Sequence, residues 1–228
     1  MKKHMHSTLA AACATLLAAA IAMPAQAQSA GSLMLRAGAT RIKPNVESGD
    51  LTAPSFPGTQ ADIKADTAFS GGITYMLTDN VSIDFPIATS FKHEIDGAGA
   101  IQGVGKIGEV KSLPVTLLGQ YRFLDATSPF RPYVGAGGTY AKFYKGTSTA
   151  ALNALTGGTT ANPTTLKVDS KFAATIEVGA TFAFAPHWFL DATVLKTFLK
   201  TTTTLSTGQT LDTKLDPTTF QLAVGYTF

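Results

Sequence analysis

Few side chains in this sequence are suited to chemistry, and the charged ones fall within segments whose apolar and polar residues alternate. If the apolar face of every segment points outward, six polar residues point inward together: Arg36, Asp84, Gln120, Arg122, Glu177 and Asp191. Because an isolated buried charge is costly, guanidinium and carboxylate groups that share a narrow interior must pair. We expect these six residues, here called the floor network, to close one end of an interior space.

The floor network has two interpretations at this point. It could be a satisfied polar core that only fills the interior, or it could stop a solute and make it leave by another route. Inward positions nearer the long connections are mostly small or apolar: Ala88, Ser90, Leu118, Ala173, Thr175 and Leu195. They predict a mildly apolar funnel above the charged floor.

Catalysis is a second class of function to consider. Only His93 and His187 lie beyond residue 27. His187 lies in a short predicted turn beside Pro186, and Ser90 and His93 are three positions apart, so they face opposite sides of a regular strand. This spacing argues against a serine–histidine pair, and we expect no enzyme and no catalytic residue.

Other kinds of site are not predicted either. The glycine-rich run at residues 97–103 (GAGAIQG) lacks the following helix and the βαβ unit of a dinucleotide loop. The aspartates lack calcium-loop spacing, and no metal or cofactor is expected. The chain has 18 Lys and Arg residues against 15 Asp and Glu, which gives no basic footprint for nucleic acid.

The N-terminus has the composition of a secretory signal peptide. Lys2 and Lys3 precede an apolar run at residues 9–21, and small residues follow at 25–27. An anchoring helix needs roughly 20 apolar residues, so we expect cleavage after Ala27 and export of residues 28–228 as one domain. The single cysteine, Cys13, lies inside the apolar run, which continues past it, unlike a lipoprotein signal.

Beyond residue 27, period-two segments of about a dozen residues recur. They span residues 32–42, 63–76, 81–93, 111–123, 132–144, 169–184, 188–200 and 220–228, and only the glycine-rich fifth has an unclear phase. Short connections at 77–80, 124–131 and 185–187 alternate with four long ones. A soluble sandwich explains neither that alternation nor these lengths, whereas a strand of about 9–11 residues crosses a bilayer. We predict an all-β fold, an eight-stranded antiparallel up-and-down transmembrane β-barrel with three short periplasmic turns and four longer extracellular loops.

The aromatic residues support this prediction because they cluster at segment ends. Nine lie beside short turns or the C-terminus: Tyr75, Tyr121, Phe123, Tyr133, Phe182, Phe184, Trp188, Tyr226 and Phe228. Five lie beside long loops: Phe91, Phe143, Tyr144, Phe172 and Phe198. Two aromatic girdles are expected at the two membrane interfaces.

Two further features bear on passage through the wall. Pro86 and Pro114 lie in adjacent predicted strands, and each removes a ladder hydrogen bond, so a weak lateral seam is expected there. The long loops also carry apolar residues that could form an apolar mouth or pack the loops against one another: Leu51, Phe56, Ile95, Ile101, Val104, Ile107, Leu152, Leu155, Leu205 and Leu211.

Several stretches resemble the outer membrane protein W family. They are residues 75–84 (YMLTDNVSID), 91–95 (FKHEI), 113–121 (LPVTLLGQY), 130–137 (FRPYVGAG) and 215–217 (LDP). The resemblance implies an outer-membrane barrel with a narrow lumen and passage of small hydrophobic molecules, and some relatives serve as phage or bacteriocin receptors. It also implies that Tyr226 and Phe228 form the signal read by the barrel-assembly machinery.

The function expected from these observations is a narrow passive channel for small hydrophobic molecules in the outer membrane, with lateral exit through the barrel wall. Its partners are membrane lipid, the assembly machinery and a hydrophobic solute. The alternative is a receptor or structural barrel that makes contacts through its loops without transport. The strands do not separate these two, because the loops differ most from the family pattern and loops select partners.

Overall fold

The computed structural model describes residues 28–228, which are built almost entirely from β-strands; the expected signal peptide lies outside the described residues. The strands are β1 (Leu33–Lys43), β2 (Glu47–Ser48), β3 (Thr59–Ile63), β4 (Asp66–Met76), β5 (Val81–Ala88), β6 (Phe91–Gly99), β7 (Lys106–Arg122), β8 (Phe130–Ser148), β9 (Leu166–Val168), β10 (Lys171–Ala183), β11 (Trp188–Phe198), β12 (Lys200–Leu205), β13 (Thr210–Lys214) and β14 (Thr218–Thr227). One short helix, α1 (Ala150–Thr156), follows β8. Within residues 28–228, no helix has the length and apolarity needed to cross a membrane.

Eight of the strands close into an antiparallel barrel, which confirms the predicted fold class. β1 pairs with β4 on one side and with β14 on the other, so Leu33 lies opposite Tyr75 and Met34 opposite Thr227. The circuit continues through β5, β7, β8, β10 and β11. Short connections at residues 77–80, 123–129 and 184–187 share one end, here called the turn end, and the other end is called the loop end.

The barrel wall alternates as the sequence predicts. On β1, Leu33 and Leu35 are exposed on the outer face, while Met34 and Arg36 are buried in the interior. Exposed apolar side chains form the outer face on every strand of the circuit, for example Phe69, Leu117, Val178 and Leu222. A contiguous apolar band of this extent is typical of a surface that lipid covers.

At the loop end, strands continue well beyond the barrel, where the sequence predicts long loops. β3, β6 and β7 extend as one sheet, and β2, β13, β12 and β9 form a second. The expected loop at residues 94–110 is therefore wrong: β6 and β7 stay paired, with Ile95 opposite Gly108, and only residues 100–105 turn the chain. Glycine enrichment does not prevent pairing when alternation continues on both strands.

A helix also replaces part of the loop predicted at residues 145–167. The hydroxyl of Thr149 caps the N-terminus of α1 by accepting from the backbone N–H of Leu152 at 3.4 Å. Gly157 ends the helix in the left-handed conformation, with φ of 82°. The helix buries Leu152 and Thr156.

The apolar loop residues pack together rather than form an open mouth. Leu152 of α1 belongs to a buried cluster that joins the two sheets, here called the loop core: Leu51, Ala61, Ile95, Ile101, Ile107, Val110, Leu152, Leu166 and Leu205. Leu155 and Leu211 pack against it. Phe56 and Val104 are the exceptions in the predicted set, with 72% and 45% of their surface exposed.

Three aromatic residues assigned to the girdles lie inside instead. Asp84 is opposite Leu118 but Phe91 is opposite Ser112, so one extra residue separates β5 from β6. That extra residue reverses the phase of the strand and turns Phe91 inward, where it is fully buried. Phe143 is partly buried against the loop core, and Tyr133 is buried among the floor residues. Leu118 is predicted to line the funnel. It lies opposite Asp84 instead, at the level of the floor network.

A charge cluster lies on the outer surface of the loop-end extension. Lys106 donates to Glu94 and Glu109, both at 2.9 Å, and Lys92 lies 2.9 Å from Glu109. The hydrogen bond from Lys106, followed by that from Lys92, lowers the pKa of the Glu109 carboxyl. Since the side chains of Lys92, Lys106 and Glu94 are exposed to solvent, the cluster contributes little to stability.

Candidate functional site

The floor network starts at Arg36, which β1 directs into the interior. Its two terminal nitrogens donate to the two carboxylate oxygens of Asp84, both at 2.7 Å. Thr74 on β4 donates to the same carboxylate at 2.5 Å, and Asp191 on β11 lies 3.7 Å from Nε of Arg36. All four side chains are buried. A bidentate pair of this kind fixes the geometry and satisfies both charges.

Arg122 on β7 forms a second layer with neutral partners. Its guanidinium donates to Gln120 at 2.9 Å, to Gln28 at 3.2 Å and to Ser82 at 3.3 Å. The same group lies 4.6 Å from the centre of the Tyr133 ring, which adds a cation–π contact. Together the two layers fill the interior near the turn end.

Besides Thr74 and Ser82, three more residues of this network are not predicted from the sequence: Gln28, Arg131 and Tyr133. Arg131 donates to the backbone oxygens of Gln28 at 2.8 Å and Asp79 at 2.6 Å, and so ties the turn end together. The hydroxyl of Tyr133 donates to Asp191 at 2.9 Å. These contacts leave the floor closed by hydrogen-bonded side chains.

Glu177 is the member of the predicted set that is left unpaired. It is 6% exposed, and among residues 28–228 neither of its carboxylate oxygens has a hydrogen-bond partner, nor does Nε2 of Gln120. Gly135 makes room for it, because a Cβ at that position would lie 2.4 Å from Oε1 of Glu177. The structure thus brings five of the six predicted residues into contact and leaves Glu177 beside them.

Above the floor lies a cavity of about 120 Å³. Its upper wall is mainly apolar, and the lining includes Ile42, Ile63, Phe91, Ile95, Val110, Phe143, Leu195, Leu199 and Leu215. His93, Ser112, Thr201, Thr203 and Thr213 also line the cavity. Its base is polar but uncharged, with Thr40, Thr116, Thr139, Thr197 and Gln221. No Lys, Arg, Asp or Glu side chain of the described part of the chain lines it.

The barrel wall is interrupted between β5 and β7. β5 pairs with β7 only from Val81 to Asp84, and pairing resumes where β6 begins, at Phe91. Pro86 and Pro114 lie on the two sides of this gap, and both line the cavity. Ile87 also borders the cavity although it is 44% exposed on the outer face. The cavity therefore borders the barrel wall at this gap, here called the seam.

The interruption is confined to one strand interface. β5 remains paired with β4 as far as Ala88, opposite Ser70. β7 remains paired with β8 across the same height, with Pro114 opposite Ala141. Each strand beside the seam therefore stays paired with its other neighbour, β5 with β4 and β7 with β8.

The two histidines take structural positions. His93 faces the cavity, where Nδ1 lies 3.0 Å from the backbone oxygen of Lys64 and Nε2 lies 3.1 Å from Oγ of Ser112. The pairing residue is therefore Ser112 and not Ser90. His187 stacks on Tyr226 with ring centres 5.0 Å apart, at the turn end. Tyr226 also contacts the rings of Trp188 and Phe228, at 5.2 Å and 4.8 Å.

Comparison with known proteins gives consistent matches along the whole described chain. A family model described as the OmpW family matches residues 29–228. Outer membrane protein W of Vibrio cholerae is 35% identical over 219 residues, which cover 93% of this chain and 96% of that protein. The crystal structure of the outer membrane protein OprG from Pseudomonas aeruginosa superposes with a TM-score of 0.80 at 27% identity and covers 90% of this chain and 99% of OprG. The structure of outer membrane protein AlkL in lipid bilayers gives a TM-score of 0.65 at 25% identity, with 88% and 91% coverage.

Proposed function

Because the chain belongs to the OmpW family of outer-membrane barrels, we propose that it is a narrow passive channel for small hydrophobic molecules. The barrel lies in the outer membrane, with its short turns toward the periplasm and its loops toward the exterior. The relatives are outer-membrane barrels and not enzymes, so catalysis is not proposed.

The observation that carries this proposal is the apolar cavity that meets the wall at the seam. A solute in the cavity contacts Phe91, Leu195 and neighbouring apolar side chains, and transfer of apolar surface from water to such a site is favourable. From there, the shortest way to lipid passes between Pro86 and Pro114, where no ladder hydrogen bonds have to break.

The floor network supports sideways exit rather than passage to the periplasm. A solute moving straight down would have to separate Arg36 from Asp84 and Arg122 from Gln120, and an apolar molecule offers nothing to replace those hydrogen bonds. Breaking one buried pair costs about 3–5 kcal/mol. The seam is therefore the less costly route.

Restoring the ladder at the seam tests the lateral route. We expect Pro86→Val with Pro114→Val to slow uptake of a small apolar solute into cells about thirtyfold, because the two new backbone bonds each add about 1 kcal/mol to opening. The matched control is Pro132→Val, the same change in β8, away from the seam. Unchanged uptake in the double variant, with normal amounts of folded barrel, would disprove the lateral route.

A receptor or structural role is the second candidate, and the ordered loop end favours it. The loop core holds two sheets and α1 in a fixed arrangement, with Phe56 projecting from it. Passage of a small apolar solute into liposomes, measured with intact and with loop-truncated protein, separates the two candidates. Absence of passage in both would favour the receptor or structural role.

A further inference from the structure

A nearly complete ring of polar side chains separates the apolar cavity from the floor network. Seven of the eight barrel strands contribute to this polar ring: Thr40 on β1, Ser70 on β4, Thr116 on β7, Thr139 on β8, Thr175 on β10, Thr197 on β11 and Gln221 on β14. All are buried. Gln221 accepts from Nε of Arg36 at 3.4 Å and so joins the ring to the floor, whereas the hydroxyl members pair with one another.

Four threonines of the ring form a continuous hydroxyl chain. The hydroxyls of Thr116 and Thr139 are 2.8 Å apart, those of Thr139 and Thr175 are 2.6 Å apart, and those of Thr175 and Thr197 are 3.0 Å apart. Each hydroxyl carries one proton and two lone pairs. A chain of this kind leaves one donor at an end and free lone pairs along its length. Because hydroxyls rotate, it can offer either a donor or an acceptor to a group above it.

The ring is open on the seam side. The strand without a polar member is β5, which presents Pro86 and Ala88 to the cavity at this height. A molecule on the base of the cavity therefore meets hydrogen-bonding groups on every side except the side that leads to lipid.

From this arrangement we propose that the cavity selects neutral amphiphiles, molecules with an apolar chain and one hydroxyl or carbonyl head group. The head group lies on the hydroxyl chain and the apolar part lies against the upper wall. A hydrocarbon of equal length forms no hydrogen bond with the remaining donor and lone pairs of the hydroxyl chain. A carboxylate is disfavoured because no cationic side chain lines the cavity to offset its loss of hydration. This proposal depends on the proposed hydrophobic channel and names its substrate class.

The test is a titration of the protein in deuterated lipid nanodiscs, followed by NMR of the threonine methyl groups. 1-Octanol, n-octane and octanoate are the three probes. We expect 1-octanol to bind saturably and about five- to tenfold more tightly than n-octane, which is the effect of one net hydrogen bond, and octanoate to bind most weakly. Replacing Thr116, Thr139, Thr175 and Thr197 together by Val should abolish the preference for 1-octanol over n-octane.

Two further variants keep the test decisive. Thr139→Val alone breaks the chain at its centre and should reduce the preference if the fourfold variant does not fold. Thr164→Val removes a buried hydroxyl that pairs with Thr156 at 2.7 Å outside the cavity, and should preserve the preference. Equal affinity for 1-octanol and n-octane, or a preference that survives in the valine variants, overturns the selectivity alone. Absence of saturable binding by any probe overturns the hydrophobic channel as well.

Discussion

The two halves of the barrel interior satisfy their buried groups in opposite ways. Toward the turn end, Arg36, Asp84 and Arg122 are fixed by several hydrogen bonds each, and the strands around them are continuously paired. Toward the loop end, the interior is apolar, contains a cavity and lies beside a gap in the ladder. A directional polar network resists displacement, whereas apolar contacts exchange readily with an apolar solute. Under the proposed function, this contrast assigns closure to one half of the barrel and passage to the other.

The largest effect on this contrast is expected when one partner of the Arg36–Asp84 pair is removed. Asp84→Ala leaves Arg36 buried without its bidentate acceptor, so we expect a loss of about 3–5 kcal/mol in the free energy of unfolding. Urea unfolding of the barrel in lipid vesicles measures it. Arg36→Met combined with Asp84→Leu removes both charges and should recover part of the loss, since Asp191 then loses the guanidinium that lies 3.7 Å from it. Equal stability of Asp84→Ala and the parent protein would mean that the pair does not hold the floor.

Disturbing the loop end should have a smaller effect that stays local. Leu152→Ala opens a cavity in the loop core and should destabilise that region by about 2–4 kcal/mol. We expect faster amide hydrogen exchange in β3, β6, β12 and β13 and unchanged exchange in β1 and β14. Thr149→Ala, which removes only the helix cap, should act in the same direction by about 1 kcal/mol. Uniformly faster exchange in the barrel would show that the two regions are not separable.

Glu177 tests the same contrast from the other side. It is the carboxylate of the floor network whose oxygens have no hydrogen-bond partner among residues 28–228. Glu177→Gln replaces it with a neutral group of the same shape and should raise the free energy of unfolding by about 1 kcal/mol. Asp84→Asn is the control, since the same chemical change at a paired carboxylate should destabilise. Urea unfolding at neutral pH distinguishes them, and a loss of stability in both variants would show that Glu177 is paired as Asp84 is.

Much of this arrangement could be predicted from the sequence because alternation fixes which face a strand residue occupies. Arg36 and Asp84 both occupy inward-facing positions of strands whose alternation is uninterrupted. Two opposite charges in so narrow an interior are expected to pair. Phe91 could not be placed correctly, because an extra residue before β6 reverses the parity and leaves no mark in the composition. Tyr133 and Arg131 lie in a strand whose glycines remove the apolar residues that would show its phase.

The loop end was the least predictable region for a different physical reason. Its strands carry Gly, Thr and Asp, which are typical of turns. They are stabilised by packing between segments distant in sequence, since Leu51 and Leu205 belong to the same loop core. Pro86 and Pro114 lie where the pairing of β5 with β7 is interrupted, and that this gap is a lateral exit stays a prediction. The register change that widens the gap is a property of strand pairing, and pairing cannot be seen in one segment alone.

The smallest effect on stability is expected at the C-terminus, where the consequence should be kinetic. Phe228 is 66% exposed and touches Tyr226 at the turn end, so its deletion removes little buried surface and should change the free energy of unfolding by less than about 1 kcal/mol. We propose that Tyr226 and Phe228 are read by the barrel-assembly machinery, and the deletion should then lower the fraction of folded barrel in the outer membrane. Refolding of the purified variant into vesicles should remain normal. Phe172→Ala, which truncates a more exposed aromatic at the loop end, is the matched control and should assemble as the parent does. Equal assembly of the two variants in cells would remove the proposed signal, and it would leave the terminal strand with only its role of closing the barrel against β1.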